Sequence, residues 1–359
     1  TRESIYYWKS DRPHTAAKTQ ASPDDTHVEI EQKLVFYLKT HFGKSDITIA
    51  PAGGQGNHIT YFLFQGQTKY FVRLENGPER DNYMSVESEI IHRVRDVGVP
   101  VPYIYLTDAT RSQVPFAIQI MECLEQEDLN IAEKRGELDI IYIAETIGQY
   151  IARWQSIRPD KFGLFNPEIL TKESKLEGFH DTYSKYFLLN WDVHLEYLTR
   201  SGFIQKTKAN ELKALVEEFF PLLQLDEGCL VHKDLALWNV LGENNEVSAV
   251  IDWDDAISGD PMDDLALLGC FHSGEVVLSA MQGYKKEKAF PANYEQRFWL
   301  HLLRNIIFKS VIRVKGNYFD KSEVFFLNNP KQTNLKSFTL ERIESAMEGL
   351  KGNKTIASL

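Results

Sequence analysis

Cysteine is scarce in this 359-residue sequence, which contains only Cys123, Cys229 and Cys270. The three are far apart and show neither CxxC nor Cys/His ligand spacing, so the sequence predicts no zinc site and no disulfide framework. Long apolar runs are missing as well, because no stretch approaches the roughly 18 consecutive apolar residues of a membrane-spanning helix. The first residues also lack a basic region followed by an apolar run. We therefore expect a cytoplasmic protein without a membrane partner.

A surplus of basic charge is missing too: 51 acidic side chains against 40 basic ones give a formal net charge of -11. This balance opposes bulk attraction to nucleic acid or to an anionic membrane, whereas a cationic small molecule would be tolerated. Hydrophobic residues at 43% and aromatic residues at 12% supply enough apolar surface to offset the entropy cost of ordering the chain. The sequence therefore predicts a folded protein, and its length suits two lobes.

The order of predicted elements divides the chain into a strand-rich part and a helical part. Residues 1–27 are mostly polar and predict an extension, in which the aromatic run at residues 5–8 is expected to anchor on the body of the protein and not to bind a ligand. Residues 28–122 predict a small lobe rich in strands. Residues 123–359 predict a larger, mainly helical lobe around a β-rich island at residues 229–253. The fold class is therefore α+β with two lobes.

Periodicity and turn residues give the individual elements. Helices are predicted at residues 28–43, 85–97, 138–157, 182–199, 206–223, 294–314 and 340–350, and strands at residues 61–64, 70–74, 102–106 and 116–121.

Residues 230–241, LVHKDLALWNVL, and residues 247–256, VSAVIDWDDA, contain the unusual polar side chains of the chain. Phosphoryl transfer needs a carboxylate beside the attacking hydroxyl and oxygen ligands for Mg²⁺. Asp234 suits the first role, and a short hairpin could bring Asn239 and Asp252 to one metal ion. The spacing matches the H-R-D-x-x-x-x-N loop of protein kinases. The alternative is that Asp and Asn cap a turn between two buried strands.

His232 has a different interpretation. Because it follows the apolar Leu230 and Val231, it is expected to position the loop through a hydrogen bond and not to act as an acid or a base.

Three segments resemble the aminoglycoside phosphotransferase and choline kinase superfamily: residues 230–239, residues 251–254 and the GDPMDDLA block at residues 259–266. The resemblance implies the eukaryotic-protein-kinase-like fold, ATP or GTP as co-substrate with Mg²⁺, and Asp234 as catalytic base. It also implies Asn239 and Asp252 as metal ligands and a structural role for Asp264 at a helix start. The sequence itself supports the structural role of Asp264, since acidic side chains before an apolar helix favour its N-terminus.

Nucleotide contacts are predicted in the small lobe. Glycine allows backbone N–H groups to approach phosphate closely, and the predicted loop residues are Gly53, Gly54, Gly56 and Asn57. A glycine-rich turn without a ligand is the alternative. Arg73 stands where many kinases have a phosphate-binding lysine, with Glu87 as its expected partner and Glu89 as the competing choice; Arg73 facing solvent stays open. Glu122 to Leu124 resembles the interlobe hinge and would offer backbone groups to the purine.

The acceptor is less determined. Acidic residues near the predicted site, Asp254, Asp255 and Asp260, would suit an amine-bearing hydroxyl compound such as an aminoglycoside, choline or another amino alcohol. Solvated surface charge explains the same acidity, and sugars or nucleosides stay open. A protein kinase is disfavoured because twelve positions separate Asp252 from Asp264 and no APE-like motif follows. A catalytically impaired nucleotide-binding protein is the remaining alternative to a small-molecule kinase.

Overall fold

The computed structural model describes residues 1–11, 24–43, 46–53, 58–77, 79–321 and 334–359. The helices in these ranges are α1 (Trp8–Asp11), α2 (Asp24–Phe42), α3 (Tyr83–Asp96), α4 (Leu129–Lys134), α5 (Ile140–Trp154), α6 (Pro167–Glu173), α7 (Tyr183–Phe187), α8 (Trp191–Arg200), α9 (Lys206–Glu218), α10 (Asp263–Leu268), α11 (Gly274–Glu287), α12 (Tyr294–Lys315) and α13 (Leu335–Leu350). The strands are β1 (Ile47–Pro51), β2 (Ile59–Gln65), β3 (Thr68–Glu75), β4 (Ile104–Asp108), β5 (Ala117–Glu122), β6 (Phe162–Phe165), β7 (Gly178–His180), β8 (Cys229–Val231), β9 (Val240–Glu243), β10 (Glu246–Val250) and β11 (Ile257–Gly259).

The chain forms two compact units. The larger contains residues 1–11, 94–100 and 126–359, and the smaller contains residues 12–93 and 101–125. Residues 1–11 thus belong to the helical unit.

An antiparallel sheet organises the smaller unit, with strand order β1-β2-β3-β5-β4. Helix α2 repeats apolar residues at helical spacing, and its Leu34 and Leu38 are buried against Val72 and Ile118 of the sheet. The predicted hairpin is present, and Gly66 takes the left-handed conformation that its tight turn requires. Strands β3 and β5 pair along their length, which fixes the positions of Arg73 and Glu122.

Two glycines allow helices α5 and α11 of the larger unit to pack closely. A Cβ added at Gly148 would lie 1.8 Å from the Ala280 carbonyl oxygen, and one at Gly283 would lie 1.8 Å from that of Glu145. Only glycine fits such backbone contacts. Helix α11 was absent from the predicted elements because its glycines and its charged end obscure the helical period.

The strands of the larger unit position residues 232–239, the predicted catalytic loop, which is called the catalytic loop below. In the sheet β7-β6-β11-β8, strand β8 ends at the residue before His232. The separate hairpin β9–β10 follows this loop in the chain. Val250 pairs with Val240 in this hairpin, so Asn239 and Ile251 lie at the same end, where the Ile251 N–H donates to the Asn239 carbonyl at 2.9 Å. The loop and the residues after β10 are therefore neighbours.

Two predicted helices are shorter than expected. The helix predicted at residues 182–199 is divided into α7 and α8 because Asn190 adopts the left-handed conformation with φ 55°. The helix predicted at residues 206–223 ends at Glu218, and Pro221 lies in the 3-10 turn that follows. Within the described residues, no helix is both long and apolar enough to cross a membrane.

Candidate active site

Asp264 holds the backbone of the catalytic loop. Its carboxylate accepts the N–H groups of His232 at 2.9 Å and Lys233 at 3.0 Å, and the indole N–H of Trp154 at 3.1 Å. Burial raises the pKa of Asp264 to about 7, although the N–H donors oppose this shift. Because all its contacts are to the scaffold, Asp264 fits the predicted structural role. Trp154 is fully buried and belongs to the core.

His232 is a buried hydrogen-bonding residue. Its Nε2 lies 2.9 Å from the Ile251 carbonyl oxygen, and the Asp234 N–H lies 3.3 Å from its Nδ1. Burial lowers the pKa of His232 to about 4, so the ring is neutral near pH 7. A neutral ring with Nε2–H as donor and Nδ1 as acceptor satisfies both contacts, and this arrangement fits the predicted positioning role.

Asp234 is buried, with 2% of its surface exposed, yet cations surround it. Lys309 Nζ lies 2.9 Å from Oδ1 and Lys9 Nζ lies 3.0 Å from Oδ2, while the Tyr7 hydroxyl donates to Oδ1 at 2.6 Å. Burial raises the pKa of Asp234, but Lys309, Lys9 and the Tyr7 hydrogen bond outweigh it and hold this pKa well below its usual range. Asp234 is therefore an ionised carboxylate that holds a hydroxyl group.

Asn239 and Asp252 lie at the same end of the β9–β10 hairpin. The Asn239 amide nitrogen donates to the Asp234 carbonyl at 2.8 Å, so the amide oxygen is the atom that a cation would contact. Asp252 is half-buried with φ 67°, and it begins the 3-10 turn Trp253–Asp255. In the described ranges, no group of three or more His, Cys, Asp or Glu side chains is arranged to hold a metal ion. The pair fits Mg²⁺, which binds few protein oxygens and completes its shell with water and phosphate.

The three acidic candidates for the acceptor site have different environments. Asp255 is buried and accepts the Trp8 backbone N–H at 3.4 Å; burial, Asp254 and Asp234 raise its pKa well above the usual value. Asp254 is partly exposed. Asp260 is fully buried and pairs with Arg297, so it belongs to the scaffold and not to a solvated surface.

The predicted nucleotide residues lie in the smaller unit. Arg73 and Glu87 are both buried and form an ion pair at 2.6 Å, whereas Glu89 pairs with Arg93 on the surface of α3. Arg73 therefore does not face solvent. Gly53 has φ 69° and joins the end of β1 to the loop before β2; the other predicted loop residues, Gly54, Gly56 and Asn57, lie outside the described residues.

The predicted hinge follows strand β5. The Glu122 N–H donates to the Tyr103 carbonyl at 2.8 Å and so serves the sheet. Cys123 and Leu124 come directly after the strand, and backbone contacts from this segment to a purine stay a prediction.

A family model described as the phosphotransferase enzyme family matches residues 48–296, which is more than half of the chain. The chain belongs to this family. It is therefore a phosphotransferase of protein-kinase-like fold, a small-molecule kinase that uses a nucleotide co-substrate and a hydroxyl acceptor. No curated protein matches the phosphotransferase in a sequence search.

Solved structures resemble the phosphotransferase along most of its length. A thermostable mutant of aminoglycoside phosphotransferase APH(4)-Ia, in a ternary complex with AMP-PNP and hygromycin B, has 17% identity and a TM-score of 0.56, covering 89% of this chain and 98% of its own. A Ralstonia eutropha protein assigned as an aminoglycoside phosphotransferase has 16% identity and a TM-score of 0.61, covering 90% and 99%. A Haemophilus somnus protein assigned as a fructosamine-3-kinase has 15% identity and a TM-score of 0.57, covering 88% and 96%.

Sequence reasoning missed four residues of the phosphotransferase that lie at the catalytic loop: Tyr7, Lys9, Lys233 and Lys309. Lys233 is fully buried with φ 69°, and its Nζ contacts Asp263 at 2.7 Å and Asn305 at 3.0 Å. A signal existed for Lys309, because it interrupts the apolar face of α12 and a lysine on such a face needs a buried partner. Tyr7 and Lys9 gave no comparable signal, since only the tertiary structure brings them to Asp234.

Proposed function

We propose that this phosphotransferase transfers the γ-phosphoryl group of ATP or GTP to a hydroxyl of an amine-bearing acceptor, in the class of aminoglycosides, choline and other amino alcohols. The observation that supports it most is the buried, ionised Asp234 with a hydroxyl hydrogen-bonded to one oxygen at 2.6 Å. A kinase base must hold the acceptor hydroxyl in this way.

Asp234 would orient the acceptor hydroxyl and take its proton. The acceptor oxygen forms a bond to the γ-phosphorus while the bond to the bridging oxygen breaks, and a nucleoside diphosphate leaves. The loop must stay in place during this step, and Asp264 supports it by accepting two of its backbone N–H groups. His232 supports the same loop as a neutral hydrogen-bonding group.

We assign the binding of Mg²⁺ to Asn239 and Asp252, which lie at the same end of the β9–β10 hairpin. Mg²⁺, when bound, neutralises charge on the phosphate oxygens. We assign the nucleotide contacts to Arg73, oriented by Glu87, to the loop containing Gly53, and to backbone groups at Leu124. The buried Arg73–Glu87 pair supports this assignment, because it matches the basic residue and glutamate of kinases.

An amine on the acceptor is favoured by the carboxylates that lie near the Lys9 ammonium. The Lys9 ammonium pairs with Asp234, and although desolvation lowers its pKa, the carboxylates of Asp234, Asp252 and Asp254 act against this and raise it. A site that holds the ammonium of a lysine provides the electrostatic environment for the ammonium of a substrate. Asp254 and Asp255 are the proposed acceptor-binding residues.

The test is nucleoside diphosphate formation from ATP and GTP across aminoglycosides, amino alcohols, sugars and nucleosides. An amine-bearing compound is expected to be turned over with the highest kcat/KM. Turnover confined to uncharged sugars or nucleosides would contradict the acceptor class, and release of diphosphate by Asp234→Asn at the same rate would contradict the assigned base.

A further inference from the structure

Residues 5–11, called here the tyrosine segment, are built into the larger unit. Tyr6 and Tyr7 are each 1% exposed, and the Asp11 carboxylate accepts the Tyr6 N–H at 2.7 Å. The anchor predicted from the aromatic run is thus present. That interpretation did not anticipate the contact of Tyr7 with Asp234.

Tyr6 is the residue that fixes the segment. Its ring stacks on Tyr186 with centroids 5.0 Å apart, and the Arg304 guanidinium lies 3.5 Å from its centroid. Lys233 Nζ lies 2.9 Å from its hydroxyl, and the Tyr186 hydroxyl donates to its carbonyl at 2.7 Å. At the far end, Asp11 pairs with His194 at 2.6 Å. These contacts place the intervening Tyr7 and Lys9 at a defined position.

That position is the one an acceptor must take. The Tyr7 hydroxyl makes the hydrogen bond to Asp234 that the reacting hydroxyl of a substrate needs, and two hydroxyls cannot occupy it together. Lys9 contacts the other oxygen of the same carboxylate. The segment thus presents a hydroxyl and an ammonium group together, as an amino alcohol would.

Lys9 also decides whether this arrangement can react. Its ammonium lies 3.0 Å from Asp234 Oδ2, the oxygen that also accepts the Asn239 amide N–H at 3.3 Å, so a cation already stands beside a residue assigned to Mg²⁺. Binding of the metal ion beside this ammonium is opposed by like charge. The arrangement therefore blocks the acceptor site and does not prepare Tyr7 for phosphorylation.

We infer that the tyrosine segment occupies the acceptor site of this kinase in cis, and that an acceptor must displace Tyr7 and Lys9 from Asp234 before it can be phosphorylated. The inference rests on the proposed function. Displacement lowers the apparent acceptor affinity by the fraction of molecules in which the site is open. The segment is thus an intramolecular competitor of the acceptor.

The test compares the full-length protein with the double variant Tyr7→Phe/Lys9→Met, which removes both contacts to Asp234 and retains the ring that stacks on Phe308. Because the double variant loses two hydrogen bonds to a charged group, its kcat/KM for the acceptor should rise on the order of tenfold or more. The Mg²⁺ concentration for half-maximal activity should fall. The matched control is Tyr142→Phe/Lys39→Met, at two exposed positions, which should change neither constant.

Hydrolysis of the nucleotide provides a readout that needs no identified acceptor, because water then takes the place of the hydroxyl. Faster Asp234-dependent hydrolysis in the double variant would support the block even if no compound in the panel reacts, and unchanged hydrolysis together with a silent panel would count against it. Acceptor turnover with equal kcat/KM in both proteins would overturn the block while leaving the kinase function intact. Phosphorylation of Tyr7 found by mass spectrometry would also overturn it, since Tyr7 would then be a substrate.

Discussion

Lys309 and Asp234 form an ion pair inside the larger unit, with Nζ 2.9 Å from Oδ1 and both side chains almost fully buried. The pair joins helix α12 to the catalytic loop. Because a buried carboxylate would otherwise gain a proton, Lys309 is one of the groups that keep Asp234 ionised.

Replacing Lys309 should therefore change the pH dependence of catalysis. In Lys309→Met burial is opposed only by Lys9 and the Tyr7 hydrogen bond, so the pKa of Asp234 rises and kcat/KM should fall, most strongly at the acid end of the pH profile, where the base is protonated. Lys351→Met is the control, because Lys351 pairs with Glu211 at the surface. A profile of Lys309→Met that overlies the wild-type profile would show that this ammonium does not tune the base.

Arg73 provides the test of the nucleotide assignment. Arg73→Ala should raise the nucleotide KM about tenfold, because it removes a charge-assisted contact to phosphate. It also leaves Glu87 buried without its partner, so the melting temperature is measured in parallel. Arg73→Lys keeps the charge and should retain most of the affinity. Arg93→Ala, which breaks the exposed pair with Glu89, is the control. An unchanged KM in Arg73→Ala would remove Arg73 from the nucleotide site.

Replacing Asp252 and Asp254 one at a time distinguishes the proposed metal site from the proposed acceptor site. Asp252→Ala should raise the Mg²⁺ concentration for half-maximal activity at least tenfold, since it removes an assigned ligand. Asp254→Ala should leave the Mg²⁺ titration unchanged and raise the KM of an amine-bearing acceptor. If the two variants had the same Mg²⁺ titration, the assignment of Asp252 as a ligand would fail.

Two buried histidines predict how stability depends on pH. Burial lowers the pKa of His232 and of His272 from 6.5 to about 4, so below pH 6.5 the unfolded chain binds protons that the folded chain does not. The free energy of unfolding should decrease as pH falls from 6.5 towards 4, by at most about 3 kcal/mol for each ring. Denaturant unfolding across this range should be less pH-dependent in His272→Asn, whereas the exposed His41→Asn should follow the wild type. Equal slopes in all three proteins would contradict the burial of His272 as the cause.

The catalytic loop could be predicted from sequence because its chemistry is local. Asp234 and Asn239 are five positions apart, and Asp252 follows the next strand of the same hairpin, so short-range spacing determines their arrangement. The Arg73–Glu87 pair could be predicted because both residues stand at positions where the resembling kinases have a basic residue and its glutamate partner, and the structure contains the pair.

The surroundings of Asp234 could not be predicted because they depend on contacts far apart in the chain. Tyr7 and Lys309 are separated by 302 positions, and both meet Asp234. No local period indicates such a contact. The break between α7 and α8 was also missed, because the left-handed conformation of Asn190 interrupts a pattern that is apolar on both sides.

The proposed phosphoryl transfer depends most directly on Asp234 as the base that accepts the acceptor proton. The measurement is single-turnover phosphoryl transfer by Asp234→Asn to the best acceptor of the panel, with nucleotide binding measured on the same preparation and Asp226→Asn, at an exposed position, as control. We predict that Asp234→Asn binds Mg-nucleotide with near wild-type affinity and transfers at least about a thousandfold more slowly. Transfer within a few fold of the wild type would contradict the account.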